Sequence, residues 1–95
     1  MRVESKIIKN NILENFPNSK ITIKYIQAKD YTISSDKIQI KTNISYKILS
    51  TYLRQNIKGA MIYQKGSFIS KNGDFGSIIF GKESSIEFIE IETII

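Results

Sequence analysis

Two short stretches of this chain alternate residue by residue, and that alternation limits the fold more than any other feature of the sequence. Ile21, Ile23 and Tyr25 interleave with Lys20, Thr22 and Lys24, and Ile38 and Ile40 interleave with Lys37, Gln39 and Lys41. A period of two puts apolar side chains on one face of a strand and polar ones on the other. Residues 20–42 therefore read as a meander of two or three strands. Its turns fall near Ala28 to Asp30 and at Ser34, Ser35 and Asp36, with a short strand from Tyr31 to Ile33 between them, because small polar side chains hydrogen-bond local backbone.

On either side of this pair of runs the period changes. Val3, Ile7, Ile8, Ile12, Leu13 and Phe16 fall at helical spacing, with Lys6, Lys9, Asn10 and Glu14 on the other side, and Pro17 stops that helix by disfavouring the helical conformation of Phe16. Asn43 or Ser45 caps a second helix with Ile48, Leu49, Tyr52, Leu53 and Ile57 as its stripe, and Gly59 supplies its stop. Beyond it, Ala60 to Tyr63, Phe68 to Ser70, Ser77 to Phe80 and Ile86 to Ile91 read as strands. They are separated by turns at Gln64 to Ser67, at Lys71, Asn72, Gly73 and Asp74, and at Gly81 to Ser85.

The expectation is an α+β fold in the order α-β-β(-β)-α-β-β-β-β: a small antiparallel sheet of five to seven strands, mostly hairpins, packed with two amphipathic helices. At 95 residues, one core spanning 1–95 is the economical arrangement, with modest stability that leaves room for a dimer. Isoleucine occurs 21 times against three leucines and one valine. Coding bias in an AT-rich genome accounts for that excess, and its physical effect is to favour strands, since isoleucine is stiff at χ1 and suits a pleated surface.

The chain has no histidine and no cysteine. Disulfides, thiolate chemistry, the commonest transition-metal ligands and the usual near-neutral general base are thereby removed, and the chain reads as a non-enzyme with no cofactor and no metal. The start, MRVESKIIKNN, lacks the roughly seven-residue apolar core of a signal peptide. No apolar run approaches the ~20 residues of a membrane helix. A soluble, intracellular, cytoplasmic protein with no membrane partner is expected.

Apparent catalytic motifs fail on their neighbours. Gly76, Gly81 and Lys82 have phosphate-loop spacing, but Glu83 stands where a hydroxyl should meet magnesium, so a strand ending in a turn is the better account. The GxxG and Asp-Phe-Gly patterns within residues 73–76 lie in a glycine-rich turn without the helices or catalytic loop that such motifs need. Glu90 and Glu92 share one side of a strand, close enough to suggest a hard cation, although a solvated acidic face explains them more simply.

Charge is distributed unevenly. Residues 1–82 hold all fourteen lysines and arginines with five acids, a net +9, whereas residues 83–95 hold only Glu83, Glu87, Glu90 and Glu92, a net −4. If the two strands share one face of the sheet, Lys20, Lys24, Lys37 and Lys41 project from it together, with Lys29 at the nearby turn. Like charges across strands need relief. The acidic last strand can lie beside them and pair with them. Alternatively, the five lysines hold a phosphate backbone, with whichever of Tyr25, Tyr31 and Tyr63 is exposed as a stacking surface. The final Ile91, Ile94 and Ile95 are candidates for a dimer interface, because apolar residues at a strand end are better covered than exposed.

Residues 6–57, from KIIKNNILENFPNS through KITIKYIQ and KIQIKTNISYKILSTYLRQNI, resemble the helix–strand–strand–helix pattern of the small dimerising subunit of the KEOPS tRNA-modification complex. That resemblance implies a non-catalytic dimerisation module in an RNA-modifying assembly. KGAMIYQKGSFIS, residues 58–70, is similar to the first hairpin of roadblock-type dimerisation domains.

The reading is a small binding or regulatory protein acting through a protein–protein surface, self-association included. Such a protein is as ordinary for a virus or mobile element as for a cell. The alternative is a basic nucleic-acid-binding module.

Overall fold

The computed structural model describes residues 2–27, 36–67, 69–70 and 76–94. Helix α1 (Val3–Asn15) turns Ser5, Ile8 and Ile12 inward, three positions spaced to share one face. It ends where Pro17 requires, with Phe16 outside the helical region at φ −133° and ψ 69°. Strands β1 (Ile21–Ile26) and β2 (Asp36–Thr42) form the expected antiparallel pair. Helix α2 (Tyr46–Asn56) starts at Ser45, whose Oγ accepts the Ile48 amide at 3.3 Å, and it buries Leu49 and Leu53. Five strands follow: β3 (Ile57–Lys58), β4 (Met61–Gln64), β5 (Ser77–Ile79), β6 (Lys82–Ser84) and β7 (Ile86–Thr93).

The fold is α+β, with two helices and seven strands in two sheets. The main sheet has the order β1-β2-β7-β4, and the smaller one the order β3-β5-β6. The expected antiparallel sheet of mostly hairpins is corrected in the main sheet, where β7 runs parallel to both β2 and β4. The reason lies in the connection. Strand β2 passes through α2 to β4, a crossover that leaves two parallel strands with a gap between them, and β7 fills that gap. One extra residue of β7, Glu87, is accommodated where the register shifts between Asp36 and Lys37.

The core holds Ile8 and Ile12 of α1 and Leu49 and Leu53 of α2 against Ile38, Ile40, Ile62, Ile89 and Ile91 of the main sheet. Both helices thus lie on the same face of that sheet. No described helix is long and apolar enough to cross a membrane.

Three local expectations are corrected. Residues 82–84 were expected within a turn but form β6; Lys-Glu-Ser has no apolar alternation, and its pairing to β5 is carried by backbone. Phe80 and Gly81, both at positive φ (46° and 82°), make the two-residue turn that joins these strands. Residues 69–70 are not strand, while Phe68 lies outside the described residues, as do the turns and strand expected within 28–35 and the Asn-Gly turn within 71–75.

Gly59 does not stop α2, which gives way at Ile57 to extended backbone. It sits between β3 and β4 at φ +87°, where an added Cβ would meet the Gly76 carbonyl oxygen at 2.7 Å. Strained backbone and a clash with main chain act together at this position. Gly59→Ala is expected to lower unfolding stability by about 2 kcal/mol in urea titration; a loss below about 0.5 kcal/mol would count against this role.

Candidate binding surface

In the register, opposed residues share a face. Thr22 faces Lys41, Lys24 faces Gln39 and Ile26 faces Lys37 across β1 and β2. Across β2 and β7, Lys37 faces Phe88, Gln39 faces Glu90 and Lys41 faces Glu92; β4 adds Met61 beside Phe88 and Tyr63 beside Glu90. These residues occupy the face opposite both helices.

At its centre Glu90 is only 7% exposed. The Lys37 ammonium lies 2.9 Å from Glu90 Oε2, and the Gln39 side-chain amide donates to the same oxygen at 3.1 Å. Lys37 also sits 5.6 Å from the centre of the Tyr63 ring, which meets Phe88 edge-on at 6.4 Å. Nearer the other end, Glu92 takes Lys41 at 3.7 Å and Lys65 at 3.4 Å. A groove of about 280 Å³ opens here, lined in part by Thr22, Lys24, Gln39, Lys41, Lys65 and Glu92. The acidic last strand therefore does lie beside a lysine strand, and it neutralises Lys37 and Lys41.

The other expected residues separate. Lys24 projects from this face, exposed and without an ion pair among the described residues. Lys20 is exposed just before β1, its backbone amide donating to Asn43 Oδ1 at 3.0 Å, and Lys29 and Tyr31 lie outside the described residues. Tyr25 faces the helix side opposite Ile38, so it offers no stacking surface beside the lysines. Its hydroxyl donates to Asp36 Oδ2 at 2.6 Å, Ser85 donates to the same oxygen at 2.7 Å, and the Arg2 guanidinium covers the ring at 4.3 Å. Glu90 and Glu92 serve as lysine partners, and no group of three metal-ligating side chains gathers among the described residues.

The proposed dimer residues also separate. Ile91 is fully buried in the core and cannot line an interface of the folded chain, a correction that follows from the central place of β7. Ile94 is 48% exposed, and Ile95 lies outside the described residues.

One arrangement had no sequence signal. Arg54 of α2 donates to the Ile62 carbonyl oxygen at 3.3 Å and to the Tyr46 hydroxyl at 3.0 Å, and Tyr46 reaches the same carbonyl at 3.5 Å. Two α2 side chains thereby engage the backbone of β4, the outer strand on that side.

Two ionisable groups, Lys37 on this surface and Tyr25 on the helix side, predict how stability responds to alkali. Burial by itself lowers the Lys37 pKa, but hydrogen bonds to Tyr63 and Glu90, with their charges, outweigh it and hold the ammonium above its ordinary value. The Tyr25 pKa is raised first by burial and then by its hydrogen bond to Asp36. Each group holds its proton more tightly folded than unfolded. Their contribution is therefore complete below the unfolded pKa values near 10 and is lost as pH rises through the folded ones. With no histidine to titrate, the melting temperature is expected to be flat from about pH 6 to 9 and to fall above about pH 10. A steep change between about pH 6 and 8 would contradict this account.

Compared with known proteins, the chain matches no family model, no curated protein and no solved structure. The α1-β1-β2-α2 order behind the KEOPS resemblance is present in the fold, without a family match to accompany it.

Proposed function

We propose that this protein is a small non-enzymatic binding module that engages a protein partner through the helix-free side of its four-stranded sheet. One observation carries the reading: Glu90 and Glu92 take up Lys37 and Lys41, so the basic strand does not present a run of free ammonium groups. A phosphate backbone is recognised mainly by uncompensated lysine and arginine. What this face offers instead is mixed charge around Met61, Tyr63 and Phe88, residue types enriched at the centres of protein interfaces.

The test compares wild type with Met61→Asp and with Lys24→Glu/Lys41→Glu, after melting curves establish that each is folded. Binding to single- and double-stranded DNA and RNA is measured across salt concentrations, and partners are captured by cross-linking in the cells that make the protein. The reading expects a cross-linked protein, or a second copy of the chain, that is lost with Met61→Asp. Tight, salt-sensitive nucleic-acid binding abolished by the double charge reversal would overturn it in favour of a nucleic-acid module.

A further inference from the structure

Strands β1 and β2 carry nearly the same pattern: Lys20-Ile21-Thr22-Ile23-Lys24 and Lys37-Ile38-Gln39-Ile40-Lys41. Their neighbours differ. Strand β2 lies between β1 and the acidic β7, whose Ile89, Glu90, Ile91 and Glu92 alternate in complementary fashion, the isoleucines entering the core and the glutamates meeting Lys37 and Lys41. The fold thus contains its own example of what satisfies a lysine–isoleucine strand. Strand β1 is paired to β2 on one side and, among the described residues, to nothing on the other.

The two outer strands of the sheet are treated differently. Arg54 and Tyr46 occupy the backbone of β4 at Ile62. Among the described residues, no side chain or turn hydrogen-bonds to the backbone of residues 21–26 outside the ladder with β2. Strand β1 has six residues, no proline, no glycine and no bulge. Ile38 and Ile40 are closed off from solvent, whereas Ile21 and Ile23 remain only half-buried although α1 lies over their strand. Exposed edges of this kind are normally blunted, and a lysine is one such device. Here Lys24 rejects another lysine-bearing strand, including a second β1 aligned on it, and attracts a carboxylate.

We infer that the free edge of β1 is a strand-addition site for an acidic, alternating segment of a protein partner, with aliphatic residues toward α1 and carboxylates toward Lys24. Backbone hydrogen bonds supply the attachment, and the alternation selects the sequence. This rests on the protein-binding reading and adds where the partner attaches and what chemistry it carries.

The experiment uses the full chain and a capped peptide copying residues 86–93, Ile-Glu-Phe-Ile-Glu-Ile-Glu-Thr. Fluorescence polarisation measures affinity, and amide shifts map the contact. The expected result is binding that weakens with salt, falls at least about tenfold in Lys24→Glu, the size of one close charge pair, and is restored to that variant by a peptide with lysine in place of glutamate. A peptide N-methylated at alternate residues, unable to donate along one edge, is expected not to bind. The shifts should centre on residues 21–26.

No binding at millimolar peptide, or binding indifferent to Lys24→Glu or to N-methylation, overturns the inference. So does a concentration-dependent dimer that protects the β1 amides, since the edge would then belong to a second copy. Shifts centred on Tyr63 and Phe88 overturn the edge assignment while leaving the protein-binding reading in place.

Discussion

Lys37→Met is expected to lower unfolding stability by about 3 kcal/mol, because it leaves the buried Glu90 carboxylate with Gln39 as its remaining partner. The loss comes mainly from stranding a desolvated charge and only in small part from the ion pair's own net value. Glu90→Gln is therefore expected to cost less, about 1 kcal/mol, since it removes the charge from the buried position and Lys37, 29% exposed, can turn toward water. The double variant Lys37→Met/Glu90→Leu is expected near wild type, because apolar replacement of both partners removes the desolvation cost together with the attraction. Urea titration of the four proteins compares these losses directly. Equal, small losses in both single variants would show that water screens the pair and that Glu90 is not the buried centre of the face.

The second large effect is at Ile91. It is opposed by Ile40 of β2 and Gln64 of β4 and has no exposed surface, so Ile91→Ala removes a side chain from a place that has strands on both sides to hold the cavity open. A loss of about 3 kcal/mol is expected, the same at every protein concentration. Ile94→Ala, at a position 48% exposed, is expected to change stability by less than about 0.5 kcal/mol. A small effect of Ile91→Ala, or one that grows on dilution, would restore this residue to a subunit interface.

The acidic strand shows how far residue patterns reach. Its charge made it a partner for the lysine strands, and Lys37–Glu90 and Lys41–Glu92 are the pairs that result. The same strand misled on position. Ile91 was a candidate for a dimer interface, yet β7 is flanked by β2 and β4. Sequence order carries no information about spatial order once a helix crosses over between two strands, because the gap it leaves can be filled by any later segment with two faces to offer. Tyr25 was legible by the same rule of alternation: its parity with Ile21 and Ile23 sends it toward the helices, so it is not the exposed ring that stacking beside the lysines requires.

Local spacing was enough for α1, β1, β2 and the stop at Pro17, and it narrowed the α2 cap to Asn43 or Ser45, since each depends on residues within a few positions of one another. It was not enough for β6, which has no apolar pattern and exists through its ladder to β5, or for the Arg54 and Tyr46 contacts that occupy one outer strand. By itself, then, the sequence determined the periods of α1, β1 and β2, the stop at Pro17 and the sign of the polar faces of β1, β2 and β7. Tertiary structure alone decided which strands became neighbours, because pairing depends on where the crossover through α2 returns the chain. That decision set Lys37 and Lys41 against glutamates and left Lys24 beside an edge to which no described strand pairs.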